Sequence, residues 1–595
     1  MERKELDNIV KRFNELKSDR SQYTNLWNDI GKYVNIYTQD FSNVNQTSNG
    51  RQLDIELNDS TAMVAATQSA ESIFGIIWGS GENVFALRPS DDLLEEIGDD
   101  IEVKDWYRYA TDKSLGEMNH HMANFSGAKR EEVYEKVTIG TGAVGAFINE
   151  DFERGSADNA LEFKSYTVKA IAIDEGRNGM VDTVYVQYRW RINRIIKTFC
   201  TEDGQISEEN LAKMPEKWVE AWNSGNSNQE FDLVCCVMPQ DNYKKGVIGK
   251  FGAKYIAVWF SENPNQDFAI EYHKKMPIIT GRGIKLAGET YGRGFATASI
   301  GTIKSLNYVM GDTLEAIEKM VKPPLGVFKS GLMGDDVIDT SSNSVTVVNG
   351  DKTGGQNPIF SLSDVKDVSG TINFLFPYMK DQISDSFKTD ALMDFNSAKE
   401  MTATESLQRM RIRANVLRGI LTQEKNESLI PLIDRSISLL LQLGILGLKP
   451  TDDPKLLEAR REVSPQSIIP DVVARYMSEG KSWYKIEFTN ELAKLSKTEQ
   501  MDGINQMLMI LQFLSGMDQT IVMGTDNYKI LDMVNEIMNN DPKLLIGDKK
   551  FQERVAEMQK QQQVAAGLEA AESMANTKKT QAGAVKDERQ SQTGT

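Results

Sequence analysis

The stretch YGRGFATASIGTIKSLNYVMGDTLEAIEKMVKPPLGV, Tyr291 to Val327, sets a glycine-flanked arginine ahead of a long helical pattern and closes that pattern with two prolines. Ile303, Leu306, Met310, Leu314, Ile317 and Val321 recur three or four residues apart, which puts them on one side of a helix. Thr302, Lys304, Asp312, Glu315, Glu318 and Lys319 populate much of the remaining surface, so the helix is too amphipathic for a membrane. Pro323 and Pro324 end it, because proline lacks the amide hydrogen and clashes with the preceding turn. Gly292 and Gly294 predict a tight turn into the helix, braced by Arg293.

On either side of this helix the texture is different. Residues 1 to about 140 carry apolar residues at helical intervals, and NDSTAMVAATQSAESIFGIIWG opens on Asp59 or Ser60 as a helix N-cap. From Gly140 to about Thr280, short runs such as AVGAFI, DTVYVQYRWRI, FDLVCCVM and KYIAVWF, separated by Gly, Asn and Asp, predict antiparallel strands. After the prolines, SVTVVNGDKTGGQNPIF reads as a small β insert, followed by a second helical run, GTINFLFPYMKDQISDSFKTDAL. Then MTATESLQRM places Thr402 and Glu405 at capping-box spacing ahead of a long helix in which Pro431 predicts a kink or break. The C-terminal residues are polar and poor in large apolar side chains.

Composition bounds the function. At 595 residues the chain exceeds one core, and 40% hydrophobic with 26% charged residues is ordinary globular usage. Lys+Arg total 68 against Asp+Glu 86, a net charge of -18, which argues against coating nucleic acid by bulk electrostatics. The opening MERKELDNIV has no apolar stretch of the signal-peptide kind, which predicts cytosolic synthesis. The run ISLLLQLGILGL (Ile437 to Leu448) falls short of the roughly 20 residues of a membrane helix and reads as a buried helix end. Cys200, Cys235 and Cys236 form no disulfide framework; the adjacent pair points to opposite faces of a strand.

Catalytic motifs find no support. GTGAVG (Gly140 to Gly145) matches GxGxxG, but a dinucleotide loop needs strand before and helix after, and the order here is reversed. There is no GxxxxGK[ST], HExxH, CxxC pair or GxSxG. The 3 histidines, His120, His121 and His273, do not make metal-ligand spacing, and no cofactor is expected. Arg409, Arg411, Arg413 and Arg418 follow the Thr402 cap, with Lys388 and Lys399 upstream. Such clusters are by default solvated helix faces paired with nearby acids.

The order of three segments carries more than any one motif. ETYGRGFATASIGTIKSLNYVMGDTLEAIEKMVKPPLGV, then MTATESLQRM, then YKIEFTNELAKLSKTEQMDGINQMLMILQFL resembles, in sequence and order, the portal or head-to-tail connecting proteins of short-tailed phages. The likeness runs from roughly Trp27 to Leu514. It implies an α+β portal fold assembled as a ring, typically of twelve copies, around an axial DNA channel at one capsid vertex. On that template 1–294 is the wing, 295–322 the first stem helix, 323–363 the clip and 364–390 the second stem helix. The tunnel loop is 391–401, 402–463 returns to the wing as a long kinked helix, 464–548 is the crown, and 549–595 a short helix and flexible tail.

The resemblance also implies roles for residues and partners. Gly292, Arg293 and Gly294 would form the wing-to-stem joint, Pro323 and Pro324 the stem end, Thr402 and Glu405 the helix cap after the tunnel loop. Lys388, Lys399 and Arg409 would be the DNA-channel contacts, and an otherwise acidic wall would let DNA slide. The implied partners are double-stranded DNA, the terminase large subunit that supplies ATP hydrolysis, major capsid and scaffolding proteins, and tail adaptor or nozzle proteins. Assembly is expected in the host cytoplasm, with no membrane. Two rivals stand beside this reading: a ring-forming tail-tube or internal virion protein without a packaging role, and a nucleotide-binding enzyme built on GTGAVG.

Overall fold

The computed structural model describes residues 3–36, 57–79, 84–97, 100–150, 152, 159–202, 205–244, 247, 249–262, 265–329, 341–349, 359–361, 369–389, 418–448 and 467–489, with 503, 504, 506–510, 512, 554 and 560. The chain divides into two units, Met1–Leu492 and Ala493–Thr595. The described residues of the second unit are helical.

Five helices and one strand come first: α1 (Arg3–Tyr33), α2 (Thr61–Ile77), β1 (Phe85–Pro89), α3 (Asp91–Ile97), α4 (Ile101–Met118) and α5 (Phe125–Thr138). The β-rich region supplies β2 (Thr141–Ile148), β3 (Leu161–Tyr166), β4 (Ile171–Glu175) and β5 (Val181–Arg191). After α6 (Ile192–Cys200) come the two-residue strands β6 (Thr201–Glu202) and β7 (Gln205–Ile206), α7 (Glu208–Ala212) and α8 (Glu216–Asn223). The region ends with β8 (Glu230–Pro239), β9 (Tyr255–Glu262), β10 (Asn265–His273) and β11 (Ile278–Arg282).

These strands form a five-stranded sheet in the order β10-β9-β8-β5-β4 and a three-stranded sheet in the order β11-β2-β3. Every pairing within both is antiparallel, as the short alternating runs predict. Helix α1 covers one face of the larger sheet because Leu6, Ile9, Phe13 and Leu16 repeat at helical spacing; they pack on Tyr185, Val234, Cys236, Val258 and Phe260. Each such fully buried side chain contributes about 1.5–3 kcal/mol. Adjacent Cys235 and Cys236 do face opposite ways: Cys236 joins this core and Cys235 lines a cavity on the other face.

The long helix α9 spans Phe295–Val321, one residue short of its expected end, and the chain leaves it through Pro323 and Pro324. The insert is a three-stranded sheet, β12 (Leu325–Lys329), β13 (Val345–Asn349) and β14 (Ile359–Ser361), in the order β13-β12-β14. β12 and β13 run parallel, β12 and β14 antiparallel. Helix α10 (Ser369–Phe387) follows and packs on α9 and α2. Asp59 on the lead-in to α2 pairs with Lys380 at 3.1 Å, and the Ser69 hydroxyl donates to the Phe387 carbonyl at 2.6 Å.

The break expected at Pro431 is a π-helical turn, Lys425–Leu429, leading into α11 (Ile430–Gln442), where Pro431 occupies the first turn. A wider turn accommodates a residue that cannot donate its amide and whose ring crowds the carbonyl four positions back. ISLLLQLGILGL is indeed a buried helix end, with Ile437, Leu440 and Leu446 fully enclosed. The last elements are α12 (Asp471–Ser478) and β15 (Tyr484–Phe488); β15 pairs antiparallel with β1, tying residues near 486 to those near 87. Among the described residues, no helix is long and apolar enough to cross a membrane.

Candidate functional site at the foot of the long helix

Two glycine motifs, far apart in sequence, meet where α9 begins. A Cβ on Gly140 would lie 2.4 Å from the Gly292 carbonyl oxygen and 2.4 Å from the Gly294 nitrogen. One on Gly294 would lie 2.2 Å from the Thr138 carbonyl oxygen. The backbones are stitched together here: Gly283 N–H donates to the Gly140 carbonyl at 2.8 Å, Gly292 N–H donates to the Thr141 hydroxyl at 2.9 Å, and Ile284 and Arg293 exchange amide bonds at 2.8 and 2.9 Å.

This corrects the reason for the glycines. Gly294 has φ -84 and needs no special turn geometry; what Gly292 and Gly294 provide is room for a second backbone. Of these three glycines, Gly140, at φ +111, combines a left-handed backbone with the close approach. GTGAVG is therefore a helix-to-strand turn between α5 and β2 that receives the YGRG segment, the opposite order from a cofactor loop. Arg293 lies across the turn, its guanidinium bidentate to Glu289 at 2.6 and 2.8 Å. Tyr291 is buried against Tyr23 and Trp27 of α1, with ring centroids 5.4 and 5.2 Å apart, and burial pushes its hydroxyl up to about 12.

Beneath the glycines lies a buried ion network. Lys129 and Lys136 on α5 flank Glu132, the Lys129 ammonium 2.7 Å from one oxygen and the Lys136 ammonium 2.7 Å from the other. Glu424 arrives from a distant part of the chain and bonds both lysines, Lys129 at 2.6 Å. Ser428 accepts from Lys129 at 2.7 Å and donates to Glu132 at 3.0 Å. Burial alone would raise the Glu424 carboxyl, but the two ammonium groups hold it well below the usual carboxylate range. Gly281 leaves the space: a Cβ there would sit 2.6 Å from Glu132 Oε1.

A second arm runs through Arg282, whose side chain is buried. It is bidentate to Glu427 at 2.8 and 3.0 Å, bonds Glu175, and donates to the Gly179 carbonyl at 2.9 Å. The π turn brings Glu424, Glu427 and Ser428 to the same place, so one irregular turn clamps α5 and β11.

The other singled-out residues do not gather here. Lys388 follows α10, exposed, with φ +58, its amide donating to the Asp385 carbonyl at 3.1 Å. Arg418 is also exposed. Lys399, Thr402, Glu405, Arg409, Arg411 and Arg413 lie outside the described residues. His120 and His121 stand just beyond the end of α4 rather than within a helix, rings 4.5 Å apart, and His273 is on β10. Among the described residues, no group of three His, Cys, Asp or Glu side chains could hold a metal. Sequence reading missed the ion network because REEVYEK carries the alternating charges of any solvated helix; the one available signal was that those charges lie beside GTGAVG.

A long helix packed on α1, α2, α5 and α10 leads into a small sheet, and a second helix returns beside it. The family model described as bacteriophage head to tail connecting protein matches residues 6–545, and the chain belongs to that family. Among curated relatives, the "Probable portal protein" of Bordetella phage BPP-1 is 20% identical over 554 residues, covering 90% of this chain and 88% of that one. The "Portal protein" of Salmonella phage epsilon15 is 19% identical over 598 residues, covering 97% and 96%. A chain of a solved structure titled "Virion of native gene transfer agent (GTA) particle" aligns over 68% of this chain and 89% of its own at 9% identity, with a TM-score of 0.28 too low to bear on the fold.

Proposed function

We propose that this chain is a portal subunit. Copies of it close a ring at one vertex of a phage head, admit and release the genome through the axial channel, and nucleate head assembly. The terminase docks during packaging and tail adaptors afterwards. In this reading α9 and α10 are the stem, β12–β14 the clip, and the ion network with the Gly140–Gly294 contact roots the stem in the wing. The tunnel loop, crown and DNA contacts keep the places given by the resemblance, Lys388, Lys399 and Arg409 among them. No catalytic step belongs to the chain.

One observation carries the proposal besides family membership. The apolar stripe of α9 is buried only in its first half, at Ile303 and Leu306. Further along it opens in the single chain: Leu314 is 53% exposed, Ile317 43% and Val321 73%, as are Tyr308 beside it at 70% and Phe374 and Tyr378 on α10 at 75% and 53%. A helix pair with this much uncovered apolar surface calls for neighbours, and side-by-side copies in a ring cover it. The outer strands of the small sheet offer edges that the same neighbours can pair.

Electron microscopy of the purified protein tests this directly. A closed ring with an axial hole wide enough for duplex DNA is expected; a monomer under all assembly conditions sinks the reading. Heads assembled without the chain should lack DNA, and filled heads would favour a ring with no packaging role.

A further inference from the structure

The face of the five-stranded sheet away from α1 forms one wall of a half-open cavity of about 760 Å³, closed by β3, α6 and α11. Its floor is aromatic. Tyr188 and Trp259 stack with centroids 5.4 Å apart, Phe199 meets Trp259 at 5.0 Å, and Trp190 lies 5.1 Å from Tyr188. Two cations stand on this floor: Lys164, 5.4 Å from the Tyr188 centroid, and Arg194, 4.2 Å from that of Trp190.

Three other polar groups of the cavity are bonded within the fold. Arg435 donates to the carbonyls of Ala146 and Lys275, Glu271 accepts from Trp259 at 2.9 Å, and Tyr188 donates to Tyr166 at 3.1 Å. Among the described residues, Lys164 and Arg194 meet no carboxylate in an ion pair; each lies over aromatic rings. Burial and then the Arg194 charge push the Lys164 ammonium below the ordinary lysine value, with nearby Glu162 opposing them. Two like charges set on an apolar floor are unfavourable until an anion joins them. The lining as a whole is close to neutral, since Glu150, Glu162 and Glu271 offset three of the four basic residues Lys164, Arg194, Lys274 and Arg435. A single carboxylate suits that balance, whereas a polyphosphate backbone meets the three glutamates of the lining.

We propose that this cavity docks a partner-protein segment in which an aromatic side chain neighbours a carboxylate, the ring lying on the Tyr188, Trp259 and Phe199 wall and the carboxylate bonding Lys164 and Arg194. The volume lies within the range of about 300–1,000 Å³ typical of ligand sites. The site is separate from the foot of α9 and does not depend on the portal reading.

The probe is the capped dipeptide acetyl-Phe-Asp-amide, titrated calorimetrically into the full chain, both unassembled and assembled. Saturable binding is expected in both states, at least tenfold weaker for acetyl-Phe-Asn-amide and for acetyl-Ala-Asp-amide. Lys164→Met should weaken the acidic peptide about tenfold at an unchanged unfolding midpoint. Should that variant misfold, exposed Arg194→Gln carries the same reading. No binding up to solubility, or equal affinity for the Asp and Asn peptides, overturns the proposal. So does displacement by a single-stranded oligonucleotide, which would make the site one for nucleic acid. Binding to the unassembled chain alone would mean that a neighbouring copy fills the cavity, and the separate partner falls.

Discussion

Lys129 and Glu424 stand 295 positions apart in sequence and 2.6 Å apart in the fold, both side chains enclosed. Removing one member of such a pair leaves a buried charge without its partner. Glu424→Gln should therefore lower unfolding stability by about 3 kcal/mol. Lys129→Met together with Glu424→Leu, which removes both charges, should cost less than either alone. Urea unfolding of the unassembled chain measures the cycle, and strictly additive losses would mean that the two groups do not support each other.

Gly140 and Gly301 make a matched pair of controls. Gly140→Ala forces a Cβ to within 2.4 Å of three backbone atoms at φ +111, and should lose at least ~2 kcal/mol. Gly301, inside α9, has nothing within 4 Å of an added Cβ, so Gly301→Ala should gain up to ~1 kcal/mol from helix propensity. Thermal unfolding of both variants decides it; a neutral Gly140→Ala would refute the close approach.

The exposed half of α9 separates assembly from folding. Leu314→Glu with Val321→Glu touches side chains that are 53% and 73% exposed, so the unassembled chain should keep its unfolding midpoint within ~0.5 kcal/mol. Ring formation, followed by light scattering and microscopy, should fail. Rings at wild-type yield would show that this stripe is not where copies meet.

Glu135 gives the fold a pH signature. Burial raises its carboxyl from 4.5 to about 8, against the amide of Val168, which donates to it at 2.9 Å. The folded state holds a proton that the unfolded chain releases, so the contribution is complete below about 4.5 and is lost as pH rises through about 8. Glu424 has the reverse sign: its pKa is lowered, so its contribution is present above 4.5 and declines as pH falls below that. Glu135→Gln should flatten the urea midpoint between pH 5 and 8 and leave the acid limb unchanged. An unaltered slope would assign the pH dependence to other groups.

Much of this was readable in advance. The spacing of Ile303 and Leu306 with the proline stop placed α9 to within a residue of its observed end, and helix before strand around GTGAVG argued against a dinucleotide loop. Alternation put Cys235 and Cys236 on opposite faces. These are local properties: a backbone period, a missing amide, a turn's order.

What remained hidden is what a chain cannot express over a few residues. Lys129, Glu132 and Lys136 have the spacing of a solvated helix face, and only the arrival of Glu424 and Ser428 on a π turn makes them a core. Gly292 and Gly294 look like turn residues until Gly140 is found against them. The sequence by itself determined where helices and strands begin, which faces are apolar and, through the order of three motifs, the family. The tertiary structure alone decided which charges lose their water and which glycines must lack a side chain, because both depend on what a remote segment places within a few ångströms.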